Sequence, residues 1–207
     1  NLIINTKQTK PKIKILVHNP QNKYTKHNRF YNDFWDEFTE YLKKYDNEFY
    51  KIFTSDKEYS INILNVQREV EKPRKDLTHY KEVKNEYVYM YDELYEKMKK
   101  NYIYPSMTNL EEVKQILKRY LDIYYNELDA QEIWFNKIKN LSEDFGYARE
   151  VKEYKNNKEK YKGHVGDVST ILRVALTSRD KTIDLYAIMS LLGKKRIEKR
   201  FEKIINE

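Results

Sequence analysis

The sequence predicts an all-α protein, a helical bundle or cage in two subdomains, preceded by a basic and partly disordered N-terminal arm. Three observations support this class. Apolar residues recur at helical spacing from Asn32 onward, no strand–turn–strand series occurs, and 207 residues contain only four glycines and four prolines. A chain of this length can bury one large helical core or two small ones.

We divide the chain into three segments: a basic arm or linker at 1–30, a first helical subdomain at 31–104 and a second at 105–207. Pro105 lies in the connection between the subdomains, where a residue without an amide hydrogen is tolerated. Inside the arm, residues 13–17 (IKILV) predict a short strand, because they form an apolar run between two prolines.

Positive charge is concentrated in the arm. The net charge is +7, from 40 Lys and Arg residues against 33 Asp and Glu residues. Seven of the basic residues and no acid lie in residues 1–30, so 33 basic and 33 acidic residues remain in the body. Nucleic-acid binding by residues 31–207 therefore requires a local basic face. The arm has two open interpretations, a non-specific attraction for phosphates and a solvated linker.

Composition excludes several kinds of site. The chain has no cysteine, and its histidines have no metal-ligand spacing: His18, His27, His79 and His164. We therefore expect neither disulfides nor a metal site. No apolar run approaches the roughly 20 residues of a membrane span, and no signal-peptide core is present. We expect a soluble protein with no membrane partner.

Three helices are predicted in the first subdomain. The first has one apolar side, formed by Phe34, Trp35, Phe38, Tyr41 and Leu42. The second lies near residues 48–53 and the third near 57–67. Pro73 ends this run because proline interrupts a helix.

Helical spacing continues through the middle of the chain. One predicted helix carries Tyr87, Tyr91, Leu94 and Tyr95. A second carries Val113, Ile116, Leu117, Tyr120, Leu121 and Tyr124. Thr108 and Glu111 have the spacing of a capping box at the start of this second helix. A third helix, from about Asp129, carries Trp134, Ile138 and Leu141. We expect these aromatic residues to form core rather than a ligand platform.

Two further helices are predicted near the C-terminus, the second of them broken at Gly193. The first buries a stripe of Val168, Ile171, Leu172, Ala175 and Leu176, and Arg173 lies well off that stripe. The next stripe consists of Leu185, Ile188, Met189 and Leu192. After Gly193, an apolar face of Ile197, Phe201, Ile204 and Ile205 lies beneath a basic face of Lys194, Lys195, Arg196, Lys199 and Arg200.

The last of these segments carries a resemblance to a known family. Residues 163–204, GHVGDVSTILRVALTSRDKTIDLYAIMSLLGKKRIEKRFEKI, resemble the C-terminal end of bacterial-type glutamyl-tRNA synthetases. The resemblance extends to residues 145–168 and 45–77. It implies a helical anticodon-binding region of an enzyme that attaches glutamate to tRNA-Glu with ATP, and it agrees with the all-α pattern.

The catalytic motifs of that family are missing. GHVG at 163–166 is not HIGH, and EKMKK at 96–100 lacks the serine of KMSKS. We therefore expect no catalytic residue and no cofactor in this chain, which we interpret as a separated C-terminal portion. The resemblance implies ATP and Mg in a missing N-terminal catalytic domain, with that domain and tRNA-Glu as partners. It further implies a monomer, cytoplasmic if bacterial or organellar if eukaryotic.

The resemblance also implies four anticodon-binding residues: Arg74, Arg173, Thr182 and Leu185. Arginine suits this role because its planar fork can engage base or phosphate oxygens bidentately. Each residue has a structural alternative: Arg74 in a cap or an ion pair, Arg173 bridging to Asp180, and Leu185 in the core. The family commonly has Gly and Pro where this sequence has Ser178 and Ile183, so the intervening loop is expected to follow a different path.

Five lysines between residues 152 and 162 supply charge without base discrimination, so they are expected either to contact phosphates or to be solvated: Lys152, Lys155, Lys158, Lys160 and Lys162. His164 is interpreted as a loop histidine with satisfied hydrogen bonds, not a catalyst. One alternative of a different class is a helical protein-interaction module with a basic surface, which predicts no preference for a tRNA.

Overall fold

The computed structural model describes residues 25–68, 77 and 79–207, with side chains from residue 34 onward. Within these ranges it contains ten α-helices and no β-strand, which confirms the predicted all-α class. The predicted strand at 13–17 and most of the arm lie outside them. Two compact units are present, the first ending at Tyr91 and the second spanning Asp92–Glu207. The subdomain boundaries at residues 30 and 104 stay a prediction.

The first unit contains four of these helices: α1 (Thr25–Tyr45), α2 (Asn47–Ser55), α3 (Lys57–Asn65) and α4 (Tyr80–Tyr87). Two aspartates explain the short breaks between the first three. The side chain of Asp46 accepts a hydrogen bond from the amide of Phe49 (3.0 Å), and that of Asp56 accepts one from Tyr59 (2.9 Å). Each therefore satisfies an amide that would lack a partner at the start of a helix.

Aromatic rings form the core of the first unit. Phe38, Phe49 and Phe53 are fully buried. Phe53 meets Phe38 edge to face with ring centroids 5.0 Å apart and stacks on Trp35 at 4.9 Å. Such pairs add about 1 kcal/mol to the burial of the rings themselves. Of the stripe predicted for the first helix, Trp35, Phe38 and Leu42 are therefore core, whereas Phe34 and Tyr41 are half-buried.

The prediction of a single helix through Tyr87, Tyr91, Leu94 and Tyr95 is wrong. The chain leaves α4 at Tyr87, makes a 3-10 turn over Val88–Met90, and becomes extended at Tyr91 (φ −106°, ψ 120°). All four residues are nevertheless buried, between 1 and 5% exposed. The apolar spacing reports burial correctly, but it does not detect a turn that keeps the same side chains inside.

The second unit contains the remaining helices: α5 (Asp92–Lys97), α6 (Leu110–Arg119), α7 (Gln131–Asp144), α8 (Val151–Asn156), α9 (Val165–Thr177) and α10 (Leu185–Asn206). A π-helical turn, Tyr120–Tyr124, extends α6. α10 is kinked at Gly193, whose φ of 70° and ψ of 170° are non-helical. This kink confirms the predicted break, because glycine tolerates a positive φ without steric cost.

Helices α6, α7, α9 and α10 pack together around a buried polar link. The hydroxyl of Tyr120 on α6 accepts a hydrogen bond from the indole of Trp134 on α7 (3.1 Å) and donates to the sulfur of Met189 on α10 (3.8 Å). Burial raises the pKa of Tyr120, so its hydroxyl remains neutral in the core. The two aromatic residues predicted to be core are therefore core residues with satisfied polar atoms.

The capping box predicted at Thr108 and Glu111 is also wrong. Asn109 is the residue before α6, and its side chain accepts a hydrogen bond from the amide of Glu112 (2.8 Å). The hydroxyl of Thr108 instead pairs with that of Tyr147 (2.8 Å). Asn109 can replace Thr108 as the capping residue, because an asparagine side-chain carbonyl accepts from the third helical amide as well as a threonine hydroxyl does.

Candidate nucleic-acid interface

Helix α9 carries the arginine singled out from the sequence. Its predicted stripe is confirmed, since Val168, Ile171, Leu172, Ala175 and Leu176 are all fully buried. Arg173 is only partly buried. Its backbone is therefore held rigidly by the core while its guanidinium reaches toward the loop that follows the helix.

At the N-terminal end of α9, backbone amides form hydrogen bonds with side chains of the same segment. Nδ1 of His164 accepts a hydrogen bond from the amide of Gly166 (3.0 Å), and Oδ2 of Asp167 accepts one from the amide of His164 (2.7 Å). His164 is thus a capping residue, which confirms that it is a satisfied loop histidine. A Cβ at Gly163 would lie 2.5 Å from that carboxylate and 3.1 Å from the ring of Tyr147, so any other residue would force the carboxylate to move.

The C-terminal end of α9 is held by side-chain hydrogen bonds. Ser178 adopts the left-handed conformation (φ 58°, ψ 26°), and its amide donates to the carbonyl of Val174 (2.7 Å). The hydroxyl of Thr177 donates to the carbonyl of Arg173 (2.8 Å) and accepts from the amide of Arg179 (3.2 Å). Serine here replaces the glycine that left-handed helix ends usually carry.

Residues 178–183, the α9–α10 loop, fix one edge of the Arg173 guanidinium. Nη1 of Arg173 donates to Oγ1 of Thr182 (2.6 Å) and to the carbonyl of Ile183 (2.9 Å). The Thr182 hydroxyl also donates to the carbonyl of Ile183 (2.8 Å). Both of these acceptors are neutral, and together they fix the direction of Nη1. The structure thus brings Arg173 and Thr182 together.

The beginning of α10 closes the loop. Asp184 accepts a hydrogen bond from the amide of Ala187 (2.9 Å), which caps the helix. Ile183 and Leu185, on either side of this cap, are 2% and 3% exposed. Burial of Leu185 favours the core role that the sequence left as its alternative. Ile183, which replaces the proline common in the family, anchors the loop through its apolar side chain.

The other predicted site residues have different surroundings. Arg74 lies outside the described residues. The five lysines between residues 152 and 162 are all exposed. Lys162 pairs with Glu112 and lies 5.2 Å from the ring centroid of Tyr147, and Lys160 lies 4.8 Å from that of Tyr161. The five lysines form an exposed, charged segment, residues 152–162, which we call the lysine segment.

One buried arginine was assigned wrongly from the sequence. Arg200 was placed on the basic face of the last helix, but it is 4% exposed. It lies three residues after Ile197 and four before Ile204, and both of these are buried. That spacing is the signal that places it on the apolar stripe. Its partners are Asp92 (3.0 Å) and the carbonyl of Leu176 (2.8 Å).

Metal clusters and membrane-spanning helices are absent from the described ranges. In them, no group of His, Cys, Asp or Glu residues could hold a metal ion. Nor does any helix between residues 25 and 207 that the structure describes have the length and apolar character needed to cross a membrane. The candidate functional features are the lysine segment and the Arg173 site, which consists of Arg173, Thr182 and the carbonyl of Ile183.

Comparison with known proteins identifies the family. The model of the anticodon binding domain matches residues 34–205. The chain is similar to glutamate–tRNA ligases of Clostridium perfringens (38% identity over 172 residues), Clostridium beijerinckii (35% over 175) and Acetivibrio thermocellus (36% over 173). These alignments cover 83, 84 and 84% of this chain and 31, 32 and 31% of the relatives. The chain thus spans about a third of their length.

The matched region contains α9, the α9–α10 loop and nearly all of α10. The resemblance to glutamyl-tRNA synthetases that the sequence carries is therefore confirmed by a family match over most of the chain and by relatives of that kind. This chain belongs to the anticodon-binding domain family.

Proposed function

We propose that this chain binds the anticodon of glutamate tRNA as the anticodon-binding portion of a glutamate–tRNA ligase. Anticodon bases are single-stranded and splayed, so a protein can stack on them and form hydrogen bonds with their edges. Recognition of this kind needs donors held in a fixed direction. The Arg173 site supplies them.

One observation carries the proposal: Nη1 of Arg173 donates to the hydroxyl of Thr182 and to the carbonyl of Ile183. These two bonds hold the plane of the guanidinium in a fixed orientation. The guanidinium therefore suits bidentate recognition of a base edge, a contact worth about 1–3 kcal/mol of discrimination. Because Thr182 and Ile183 already hold Nη1, little side-chain freedom is lost on binding.

The remaining predicted residues have supporting roles in the proposal. Arg74 contributes a second guanidinium to the anticodon, as the resemblance implies. Thr182 and Leu185 shape the site, Thr182 through its hydroxyl and Leu185 from beneath. The lysine segment contacts tRNA phosphates, which contributes affinity without base preference.

The rest of the reaction is assigned to the part of the ligase outside this chain. ATP, Mg and attachment of glutamate belong to an N-terminal catalytic domain, the intramolecular partner of this region. We propose that the complete enzyme is a monomer, in the cytoplasm of a bacterium or in an organelle of a eukaryote.

The test is binding of the purified chain to a glutamate tRNA transcript and to the same transcript with a replaced anticodon, at near-physiological salt. The wild type is expected to prefer the glutamate anticodon by about tenfold, which corresponds to about 1.4 kcal/mol. Arg173→Ala is expected to remove that preference. Lys158→Gln, an exposed lysine, is the matched control and should leave the preference unchanged.

Two outcomes would contradict the proposal. Equal, salt-labile binding of both transcripts by the wild type would indicate only non-specific attraction to phosphates, as the protein-interaction module predicts. A preference that survives Arg173→Ala would place recognition elsewhere on the chain. Circular dichroism of both variants shows that any loss of preference occurs in a folded protein.

A further inference from the structure

Arg200 is the one buried charged residue among those that the structure describes, at 4% exposed. A buried charge is unfavourable unless it is paired and its donors are satisfied. Nη2 of Arg200 donates to Oδ1 of Asp92 (3.0 Å), and its guanidinium lies 3.7 Å from the ring centroid of Tyr95. Burial raises the pKa of Tyr95, so this ring is neutral and its π face is available to the cation.

A further contact of Arg200 reaches the C-terminal end of α9. Nη1 of Arg200 donates to the carbonyl of Leu176 at 2.8 Å, and this bond is buried. Leu176 is the second-last residue of α9, so its carbonyl cannot find an amide within the helix. Arg200 supplies the missing donor from α10. The two terminal nitrogens of the planar guanidinium therefore bind different groups: Nη2 binds the carboxylate of Asp92, and Nη1 binds the carbonyl of Leu176. A lysine ammonium cannot make both bonds in the same geometry.

The same helix end has a second support from a distant part of the unit. The amide of Asn101 donates to the hydroxyl of Ser178 at 2.5 Å. Ser178 is the first residue of the α9–α10 loop, and the loop ends at the two acceptors that hold Arg173, Thr182 and Ile183. Both ends of the loop are thus fixed: the first by Arg200 and Asn101, the second by the cap of α10.

We infer that Arg200 is a positioning residue for the Arg173 site: by holding the carbonyl of Leu176 it sets the path of the α9–α10 loop and hence the orientation of the Arg173 guanidinium. This inference rests on the proposed function of that site. Arg200 itself is buried and does not touch the tRNA. It acts through the loop, and its loss lowers anticodon preference more than it lowers attraction to phosphates.

The variant Arg200→Lys keeps the positive charge and removes the fork. We expect its preference for the glutamate anticodon to fall by about fivefold, the size of effect typical of residues that act through a neighbour. Its affinity for the anticodon-replaced transcript stays near that of the wild type. Arg196→Lys is the matched control, because Arg196 also pairs with Asp92, through Nε at 2.9 Å. This control is expected to keep the preference.

A double variant separates positioning from a general structural role. If Arg200 acts only through Arg173, adding Arg200→Lys to Arg173→Ala leaves the affinity for each of the two transcripts unchanged, because the contact that Arg200 orients is already gone. A role in stability alone would lower the melting temperature and leave the preference of the folded protein unchanged. That result with Arg200→Lys would overturn the inference.

A third variant keeps the test decisive if Arg200→Lys does not fold. Ser178→Gly removes the hydroxyl that accepts from Asn101, tolerates the positive φ, and leaves the buried charge intact. A lowered preference is expected here too, and an unchanged preference would show that the end of α9 does not control Arg173. Failure of the proposed function is a separate result, because the wild type itself would then show no anticodon preference.

Discussion

The lysine segment before α9 and Arg173 on α9 differ in how their charges are held. In the lysine segment, five lysines are exposed, and Lys162 is paired with Glu112. Arg173, near the C-terminal end of α9, is held by the hydroxyl of Thr182 and the carbonyl of Ile183. The lysine segment has more positive charge, whereas the guanidinium of Arg173 is oriented by two hydrogen bonds from one nitrogen. Base discrimination depends on orientation, and attraction to phosphates depends on charge.

The first way to sharpen this comparison is Arg173→Lys, which keeps the charge and removes the planar fork. We expect loss of nearly all of the roughly tenfold anticodon preference, about 1.4 kcal/mol, because a point charge cannot make a bidentate contact with a base edge. Competition binding of the two tRNA transcripts measures this. A lysine variant with full preference would show that charge alone is sufficient at residue 173.

The substitution Gly163→Ala tests the N-terminal end of α9. The added methyl would lie 2.5 Å from Oδ2 of Asp167, so the carboxylate must move and give up its bond to the amide of His164. We expect a loss of about 1.5 kcal/mol in the free energy of unfolding. Urea unfolding measures it, with Lys160→Ala in the same loop as a control expected to stay within about 0.5 kcal/mol. If Gly163→Ala and the wild type had the same free energy of unfolding, the packing described for Gly163 would be contradicted.

The hydroxyl of Thr182 is expected to have a smaller effect on recognition. Thr182→Val keeps the shape of the side chain and removes the acceptor of Nη1 of Arg173, which costs about 1 kcal/mol and lowers anticodon preference by about fivefold. Thr182→Ser keeps the hydroxyl and is expected to retain most of the preference. If valine and serine behaved alike in the same binding assay, the hydroxyl would have no part in orienting Arg173.

Substitutions in the lysine segment are expected to have no effect on anticodon preference. The triple variant Lys152→Gln, Lys155→Gln and Lys158→Gln should weaken binding of both transcripts equally. The plot of log affinity against log salt should become shallower by about 2, because each phosphate contact to a single strand contributes about 0.7. Arg173→Lys, which keeps its charge, should leave that slope unchanged. A change of anticodon preference in the triple variant would contradict the division between the two regions.

Most of the helical fold follows from apolar periodicity, because each helix buries a continuous stripe. The break between Tyr87 and Tyr95 was not detected, since a 3-10 turn and an extended residue keep the same side chains buried. The cap of α6 was placed one residue early, because Thr108 and Asn109 are both suitable capping residues. What decided between them was the contact of Thr108 with Tyr147, which is 39 residues away and has no local signal.

The candidate site was predicted in part. The position of Arg173 off the apolar stripe and its nearness to Thr182 follow from helix geometry and a short loop. The burial of Arg200 could have been inferred from its spacing to Ile197 and Ile204, but its partner Asp92 is 108 residues away. Long-range pairs of this kind depend on tertiary packing, which periodicity does not encode.

The most direct test of the account uses three glutamate tRNA transcripts, each with one anticodon base replaced, and compares the wild type with Arg173→Ala. The account predicts that one replacement weakens binding of the wild type by about tenfold and has no effect on Arg173→Ala, because the contact that it removes is already absent. If every replacement weakened tRNA binding equally for the wild type and Arg173→Ala, or changed it for neither protein, Arg173 would not recognise an anticodon base. That result would contradict the central claim.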